Sequence, residues 1–305
     1  MLDCLFIGSA TQDVLLLIDE PPQSNRRLLA RDISYVSGGI AATAASAFQK
    51  LGGSAGLVTA KGEESEITSF IVKDLEGQNF SYLQMVAVKG GMSSFSAIQV
   101  EKNGSRCITH YGGCIQQINV SSIDTSMFSE TKLIHLGGLS DTAVVDCAQF
   151  YKENYQGIVS VDGGNYSRSV LESLLPYVDI MILDDTTVKK EFALPNKAVC
   201  NYFSDKGVTV SCITMGRHGS LAYFHDEYYS APAFPVSVLD TTGAGDNFHG
   251  AFLYCYAVRH YDMERTLRFC NTFSAITCTG LGGRSRQLCF EEIWKAIERG
   301  EYDAK

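Results

Sequence analysis

The stretch 240–252 joins a turn of small residues to the start of an amphipathic helix. Gly243, Ala244 and Gly245 carry little or no side chain, so a ligand can approach the backbone there. The first N–H groups of a helix have no partner inside it, and the helix dipole adds partial positive charge at that end. These features predict a site for a phosphate group, above all one that gains negative charge during transfer.

Asp246 follows this turn directly. A carboxylate in that place would not bind phosphate, but it could take the proton from a hydroxyl that attacks the phosphate. We expect the helix start to lower the pKa of Asp246 and keep the group ionised. The residues alone leave an alternative, in which Asp246 caps the helix by accepting hydrogen bonds from its free N–H groups.

Composition and missing motifs exclude several other classes of function. The formal charge is −9, from 25 basic and 34 acidic residues, which disfavours nucleic acid as a partner. Neither Gly-x4-Gly-Lys-Ser/Thr nor Gly-x-Gly-x-x-Gly occurs. The ten cysteines include no Cys-x-x-Cys pair and the six histidines are scattered, so we expect reduced, buried thiols and no zinc site.

The sequence also shows no recognisable targeting signal. We find no signal-peptide pattern at the start of the sequence and no apolar run near the roughly 18 residues of a membrane span. The sequence therefore predicts a cytoplasmic protein with no membrane partner.

Short apolar runs alternate with helical patterns along most of the chain, and this predicts one α/β unit over residues 1–305. Several runs are apolar on both faces, as buried parallel strands are. The predicted strands are 4–8, 56–60, 133–136, 158–162, 180–183 and 208–214. The predicted helices are 40–51, 67–78, 142–154, 247–261, 264–278 and 290–299.

Two segments interrupt this alternation. An apolar strand at 13–18 returns through 30–35, and the runs 93–100 and 106–111 alternate around Asn103-Gly104, a strong hairpin signal. Together the regions 12–35 and 93–112 predict a small β sheet that projects from the main body as a lid over a cleft. The pattern alone fits an ordinary edge hairpin equally well.

The turn and helix at 240–252 resemble the C-terminal signature of the PfkB, or ribokinase-like, family of carbohydrate kinases. That signature is close to Asp-Thr-x-Gly-Ala-Gly-Asp-x-Phe-x-Gly, and it matches here over 11 residues. The segment 37–45 and the helix that follows it resemble the N-terminal signature. The resemblance implies a ribokinase-like fold, a central and mostly parallel sheet with helices on both faces and a β lid. It also implies transfer of the terminal phosphoryl group of ATP to a sugar hydroxyl, with Mg²⁺.

The resemblance assigns roles to individual residues at the reacting end of the site. Asp246 matches the general base of the family, and the amides of Gly243, Ala244 and Gly245 match its anion hole. The residues that it places at the sugar are Asp13, Gly38, Gly39 and Thr43. Asp162 is a further candidate for the sugar site on its position alone, because it ends a predicted parallel strand and binding clefts form outside the carboxyl ends of such strands. Thr43 stands where many relatives have Asn, and a hydroxyl offers fewer hydrogen bonds than an amide.

The form Gly-Gly-x-Ala-Ala-Thr is similar to that of sulfofructose kinases and related ketose kinases in the family. Arg27 and Arg31 fall on the predicted lid strand, where a cation would meet a charged substituent of the substrate. The segment 136–139 carries no Arg for a second contact. The resemblance therefore favours a ketose or sugar derivative, with an anionic one among the possibilities, and an exposed, solvated set of arginines is the alternative.

On the nucleotide side, the resemblance implies contacts with ATP at Asp184, Thr214, Gly216, Gly219 and Asn271. The family's Asn-x-x-Glu motif for magnesium is altered here, with Asp184 and Thr187 in the two positions and Asp185 as a further oxygen donor. Many relatives bind K⁺ beside the anion hole, and the matching positions here are Asp240, Thr242, Thr277, Gly280 and Gly282. Arg286 stands where a late hydroxyl ligand is expected, so activation by K⁺ is left open.

Two other functions are compatible with the sequence. A nucleoside kinase of the same family would need an apolar slot for a base near the lid, and Tyr35, Phe95 and Tyr111 could supply one. A non-catalytic sugar-binding regulator could have kept the fold, although the intact turn at Asp246 argues against it. Since the lid pairs between subunits in some relatives, a homodimer through the lid is also expected.

Overall fold

The computed structural model describes residues 1–102 and 104–302. In this part of the chain the strands are β1 (Cys4–Gly8), β2 (Thr11–Ile18), β3 (Asp32–Gly38), β4 (Ala55–Lys61), β5 (Tyr82–Ala87), β6 (Ser94–Glu101), β7 (Arg106–Tyr111), β8 (Leu133–Gly137), β9 (Ile158–Asp162), β10 (Ile180–Asp184), β11 (Val210–Thr214), β12 (Ser220–Phe224) and β13 (Glu227–Ala231). The helices are α1 (Ile40–Lys50), α2 (Glu66–Gly77), α3 (Asp141–Tyr155), α4 (Arg168–Leu174), α5 (Asp185–Glu191), α6 (Asn196–Ser204), α7 (Ala244–Leu253), α8 (Met263–Thr277) and α9 (Phe290–Arg299).

The large sheet has nine strands in the order β13-β12-β11-β10-β9-β8-β1-β4-β5. The seven strands from β11 to β5 are parallel, and β12 and β13 are antiparallel additions at one edge. The parallel strands point their carboxyl ends to one edge of the sheet, where binding sites of such folds form. The predicted α/β class is confirmed.

Helices cover both faces of the large sheet. One apolar cluster joins Phe6 and Ile182 to α1, α7, α8 and α9, and the other joins Leu5 and Leu183 to α3, α4 and α6. Since neighbouring residues of a strand point to opposite faces, a strand between two helical layers must be apolar at nearly every position. This explains the continuous apolar runs of the sequence.

The lid is a separate sheet of four strands in the order β3-β2-β6-β7. Its two central strands, β2 and β6, pair in parallel, and Leu15, Ile98 and Val100 form its small core with Val36 and Leu281. The return strand begins at residue 32 rather than at the expected residue 30. Of the hairpin signal at 103–104, residue 103 lies outside the described residues.

The antiparallel hairpin of β12 and β13 is absent from the sequence prediction. Its two-residue turn consists of His225 and Asp226, both at positive φ (50° and 61°). Turns of this kind usually carry Asn-Gly or Asp-Gly, so the pair gave no recognisable signal. The helix predicted at 247–261 begins at Ala244 and, after Leu253, continues as one turn of π helix, Tyr254–Val258. None of the described helices is both long and apolar enough to cross a bilayer.

Candidate active site

In the turn before α7, the backbone is accessible at Gly245 but tightly packed at Gly243. Gly243 is the N-cap with φ 74°, and a Cβ on it would lie 2.6 Å from the Cα of Gly283. A Cβ on Gly245 would meet no atom within 4 Å. Asn247 fixes the turn, because its Nδ2 donates to the carbonyl oxygens of Gly243 (2.8 Å) and Gly283 (2.6 Å). The amide of Ala244 donates to Thr241 O (3.2 Å), so the expected anion hole is available at Gly245, where a free helix amide and open space coincide, and not at Ala244.

Asp246 lies in the first turn of α7 and is half-buried. Among the described residues its carboxylate has no hydrogen-bond partner, and the N-cap makes no side-chain hydrogen bond, so Asp246 does not act as a cap. Burial raises its pKa to about 8, and the negative charges of Asp162 and Asp13 add to this, while Arg106 and Arg284 oppose it. The expected lowering by the helix start is wrong, because loss of water and neighbouring carboxylates outweigh the dipole.

Asp13 extends from the lid strand β2 over the Gly-Gly turn before α1. It is 5% exposed, and its carboxylate accepts a hydrogen bond from Thr11 (2.9 Å). A Cβ on Gly38 would lie 1.9 Å from Oδ2 of Asp13, and one on Gly39, at φ 96°, would lie 2.5 Å from Ser9 O. A side chain at Gly38 would therefore clash with the carboxylate of Asp13, and one at Gly39 would clash with the β1–β2 connection. Burial raises the pKa of Asp13, and hydrogen bonds from Ser96 and Thr11 partly offset this.

A buried arginine that the sequence analysis missed connects the sugar-side residues. Arg284 donates from Nη2 to Gly38 O (2.7 Å) and from Nε to Oγ1 of Thr43 (3.3 Å), and it forms a 2.5 Å ion pair with Asp74. Its side chain is 9% exposed, and its charge lowers the pKa of both Asp13 and Asp246. Thr43, 1% exposed, also places its methyl group against the Gly243 turn.

Asp162 ends β9 at the carboxyl edge of the large sheet, as expected. Its Oδ1 accepts from Gly164 N (2.9 Å), and its Oδ2 lies 3.4 Å from Nε2 of the buried His249 on α7. Burial lowers the pKa of His249, and Asp162 and Asp184 oppose this. The negative charge of Asp162 also raises the pKa of Asp246, so the two carboxylates lie close enough to interact.

Asp184, at the end of β10, caps α5: its carboxylate accepts from Thr187 N (2.9 Å) and Oγ1 (2.7 Å). Asp185 pairs with Lys189. No cluster of three or more metal-ligating side chains occurs among residues 1–102 and 104–302. Mg²⁺ usually keeps several waters and binds one or two carboxylates beside substrate phosphates. Asp162 and Asp184, which flank Gly164, fit such a metal carried by ATP.

The residues expected at the nucleotide come from three elements that meet near residues 231–232. Thr214 ends β11 and donates to Leu183 O (3.3 Å). Gly216 and Gly219 both have positive φ in the turn that follows, and a Cβ on Gly219 would lie 2.0 Å from Ala231 O. Asn271 of α8 donates to Ala231 O (2.9 Å) and Pro232 O (3.1 Å), so its amide anchors this segment.

The five residues expected around a monovalent cation lie in two adjoining loops. Asp240 is 1% exposed and accepts from the backbone N and hydroxyl of Thr242 (2.9 and 2.7 Å) and from Gly282 N (2.8 Å). Thr277 ends α8, and its carbonyl oxygen accepts from Gly280 N (3.3 Å). A Cβ on Gly280 would lie 2.5 Å from Cγ of Arg286, so the arginine covers this loop.

The hairpin of the lid contacts the catalytic turn. Arg106 donates to Oγ1 of Thr241, which in turn donates to Gly104 O (3.4 Å). The positive charge of Arg106 lowers the pKa of Asp246. The lid is therefore closed over the turn, and its hairpin brings a cation to the anion hole.

Two expectations about lid residues are not met. Arg27 and Arg31 precede the strand β3 in an exposed connection, and Arg31 pairs with Asp19 (2.8 Å). The backbone N–H of Arg31 donates to Leu17 O (2.7 Å). Leu17 is four residues from Asp13 on the same strand, a separation of about 13 Å. Arg27 and Arg31 therefore lie outside the lid strand on which they were expected.

The three aromatic residues expected to hold a base are Tyr35, Phe95 and Tyr111. In the strand register, Asp13 lies beside Ser96 and Ser96 beside His110, whereas Phe95 lies between Gln12 and Tyr111. Since side chains alternate between faces, the aromatic residues lie on the outer face of the lid, away from Asp13. Within one chain they form no base slot.

The chain matches a known protein family over most of its length. The family model described as pfkB family carbohydrate kinase matches residues 1–288. A deoxyribokinase of Salmonella typhi is 26% identical over 98% of this chain and 100% of its own, and a nucleoside kinase of Methanothermobacter thermautotrophicus is 23% identical over 97% and 95%. An Escherichia coli protein assigned only provisionally as ribokinase II, solved with ATP and Mg²⁺, has a TM-score of 0.83 at 18% identity, covering 98% and 100%.

The raised pKa of Asp246 predicts the pH dependence of catalysis. A general base must be ionised, so log kcat/KM should rise with slope near one below pH 8 and level off above it. Asp162→Asn removes a negative neighbour and should move this limb to lower pH. The measurement is direct ADP detection between about pH 6 and 9.5. A flat wild-type profile between pH 6 and 8 would contradict the assignment.

Replacing Gly245 or Gly243 by alanine should change the stability of the protein in opposite directions. Gly245→Ala meets no protein atom and should stabilise the helix by about 0.5–1 kcal/mol, while the methyl group obstructs the phosphate and lowers kcat/KM. Gly243→Ala should destabilise the protein by more than about 1 kcal/mol, because of its positive φ and its contact with Gly283. Denaturant unfolding and steady-state kinetics measure both. Wild-type activity in Gly245→Ala would place the anion hole elsewhere.

Proposed function

The chain belongs to the PfkB family of carbohydrate kinases, and from this premise we propose that Asp246 activates a sugar hydroxyl for attack on ATP. The protein is a phosphotransferase with an alcohol acceptor that uses ATP and Mg²⁺. The single observation that carries the proposal is the unpaired carboxylate of Asp246 beside the open turn at Gly245. The sugar lies between the lid and the Gly38-Gly39 turn, and ATP approaches from the Thr214–Gly219 side.

In the reaction, the acceptor hydroxyl loses its proton to Asp246 as its oxygen bonds to the terminal phosphorus of ATP. The bond from that phosphorus to the bridging oxygen breaks, and ADP leaves. The amide of Gly245 and the guanidinium of Arg106 stabilise charge on the transferred group. Mg²⁺ on the ATP phosphates supplies further charge neutralisation, with Asp162 and Asp184 as the carboxylates that would hold its waters.

The acceptor in this proposal is a free sugar, with a ketose or sugar derivative as the expected class. Asp13 suits two hydroxyls of a sugar, because a carboxylate accepts several hydrogen bonds. An anionic substituent finds no support from Arg27, which lies in the exposed connection before β3. A nucleoside is the second candidate, since curated relatives at similar identity are named as deoxyribokinase and nucleoside kinase. A non-catalytic regulator would have no use for the unpaired Asp246.

Asp246→Asn should lower kcat by about 10²- to 10⁴-fold, because the amide cannot accept the proton of the acceptor. Binding of ATP should stay within a few-fold, since Asp246 makes no contact that organises the turn. The assay is ADP release over a panel of ketoses, aldoses, sugar phosphates, sulfosugars and nucleosides, with calorimetry for ATP.

Asp141→Asn is the matched control, because Asp141 is an acidic residue in the first turn of another helix, α3. It should keep wild-type activity. Loss of both turnover and ATP binding in Asp246→Asn would show that the residue is structural. Tight sugar binding by the wild type with no turnover across the whole panel would favour the regulator.

We also propose a homodimer through the lid and a location in the cytoplasm. The outer face of the lid exposes Ile33 (50%), Tyr35 (60%) and Tyr111 (53%), beside the partly buried Leu16 and Phe95. An apolar face of this kind is typical of an interface. The ten cysteines are unpaired and most are buried, which supports a reducing compartment.

If the lid forms the interface, Tyr35→Glu should convert the dimer to a monomer in sedimentation, because a carboxylate would be buried without a partner. Leu194→Glu is the matched control, since Leu194 is similarly exposed (45%) but lies in the segment between α5 and α6. It should stay dimeric. A monomeric wild type at micromolar concentration, or an unchanged dimer in Tyr35→Glu, would refute this interface.

A further inference from the structure

The loop after α8 is bound to the catalytic turn through Asn247, the residue that follows the base. Nδ2 of Asn247 donates to Gly283 O (2.6 Å), and Oδ1 of Asn247 accepts from Nε2 of Gln287 (2.8 Å). A Cβ on Gly283 would lie 3.0 Å from the Cα of Gly243, so the backbones of the loop and the turn are in close contact. The position of this loop is therefore linked to that of the base at the start of α7.

Arg284, the next residue of the loop after Gly283, contacts the acceptor side of the site. Its Nη2 donates to Gly38 O (2.7 Å), and its Nε donates to Oγ1 of Thr43 (3.3 Å). A guanidinium carries only donors, so the direction of both hydrogen bonds is fixed. Gly38 ends the lid strand β3, against the carboxylate of Asp13, and Thr43 lies in α1. One side chain therefore joins the end of the lid to the helix that follows it.

Asp74 of α2 holds the guanidinium in this orientation. Its Oδ2 lies 2.5 Å from Nη1 of Arg284, and the arginine side chain is 9% exposed. Since a buried charge is costly unless it is paired and hydrogen-bonded, this ion pair allows the arginine to lie inside the site. The three nitrogens of the guanidinium contact three different elements, β3, α1 and α2, and together these contacts define a single orientation.

We propose that Arg284 is a positioning residue for the acceptor, because it sets the distance between the Gly38-Gly39 turn, where the sugar binds, and the base at the start of α7. The inference rests on the proposed kinase function and adds a residue that acts through Gly38 and Thr43. An error of about 1 Å in the placement of reacting groups can lower a rate by about 10²-fold. Loss of this link should therefore slow the reaction although every reacting group is still present.

Arg284 also adds a positive charge to a cleft that holds several carboxylates. The charged groups that act on Asp246 are Asp13 of β2, Asp162 of β9, Arg106 of β7 and Arg284. The charge of Arg284 lowers the pKa of Asp246, so removal of that charge should raise this pKa further. A lysine in its place keeps the charge but lacks the planar fork that reaches several partners at once. Substitution can therefore separate the effect of geometry from the effect of charge.

The kinetic test compares Arg284→Lys with Arg284→Met. Both variants lose the fork, so both should lower kcat/KM for the acceptor by about 10- to 100-fold, while KM for ATP should change little. The acceptor is the compound with the highest kcat/KM in the panel of sugars and nucleosides. In the pH profile, the ascending limb should keep its wild-type position in Arg284→Lys and move to higher pH in Arg284→Met. A purely structural defect would not separate the two variants in this way.

Lys152→Met is the matched control, because Lys152 also joins a carboxylate and a carbonyl group. Its Nζ donates to Oδ1 of Asp179 (2.7 Å) and to Gly157 O (3.1 Å), which precede β10 and β9 at the amino edge of the large sheet. This variant should lose stability in denaturant unfolding but keep the wild-type kinetics and pH profile. If Arg284→Met does not fold, the kinetics of Arg284→Lys decide the positioning role.

A titration that needs no turnover completes the experiment. In protein with ¹³C-labelled aspartate, the carboxyl signal of Asp246, identified with Asp246→Asn, should show a higher pKa in Arg284→Met than in Arg284→Lys or the wild type. An equal pKa in all three would overturn the effect of charge.

Equal kcat/KM for the acceptor in Arg284→Lys and the wild type would overturn the positioning role and leave the proposed kinase function intact. A wild type that phosphorylates nothing in the panel would overturn the kinase function and, with it, the role of Arg284 toward an acceptor. The carboxyl titration would still decide whether Arg284 acts on Asp246.

Discussion

Three carboxylates share the cleft with two arginines, and the rest of the site depends on this balance of charge. Asp13, Asp162 and Asp246 interact closely enough that the first two raise the pKa of the third, while Arg106 and Arg284 oppose them. The carboxylates repel one another because they carry like charges, and burial weakens the screening of this repulsion. A base with a pKa near 8 is better matched to a proton from an alcohol than an ordinary aspartate would be.

Close backbone approach is the second requirement, and it explains why the motifs are so rich in glycine. Gly38 leaves room for the carboxylate of Asp13, and Gly243 leaves room for Gly283. Thr43 touches both regions, since its hydroxyl accepts from Arg284 and its methyl group faces the Gly243 turn. The sugar and phosphate ends of the site are therefore held in one geometry by contacts between residues about 240 positions apart.

The sequence predicted features that depend on residues close to one another along the chain. Short patterns in the sequence predict the turn at Gly243–Asp246, the carboxylate of Asp13 and the parallel strands. In the structure the negative charge of Asp13 raises the pKa of Asp246, so the two carboxylates interact. Arg284 could not be found in this way, because its partners Gly38, Thr43 and Asp74 are 210 to 246 residues distant. The pKa of Asp246 was predicted in the wrong direction for a similar reason: the dipole is local, but Asp162 and burial come from the tertiary fold.

The two faces of the lid divide its tasks through the alternation of side chains along a strand. On β6, Phe95 points outward with Tyr111, and the next residue, Ser96, points inward with Asp13 and His110. A shift of one residue in this register would exchange the apolar face for the polar one. The parallel pairing of β2 with β6 fixes the register over eight residues, so the same backbone pairing sets both the proposed dimer surface and the proposed sugar-binding surface. A shift of this register would therefore disrupt both proposed surfaces together.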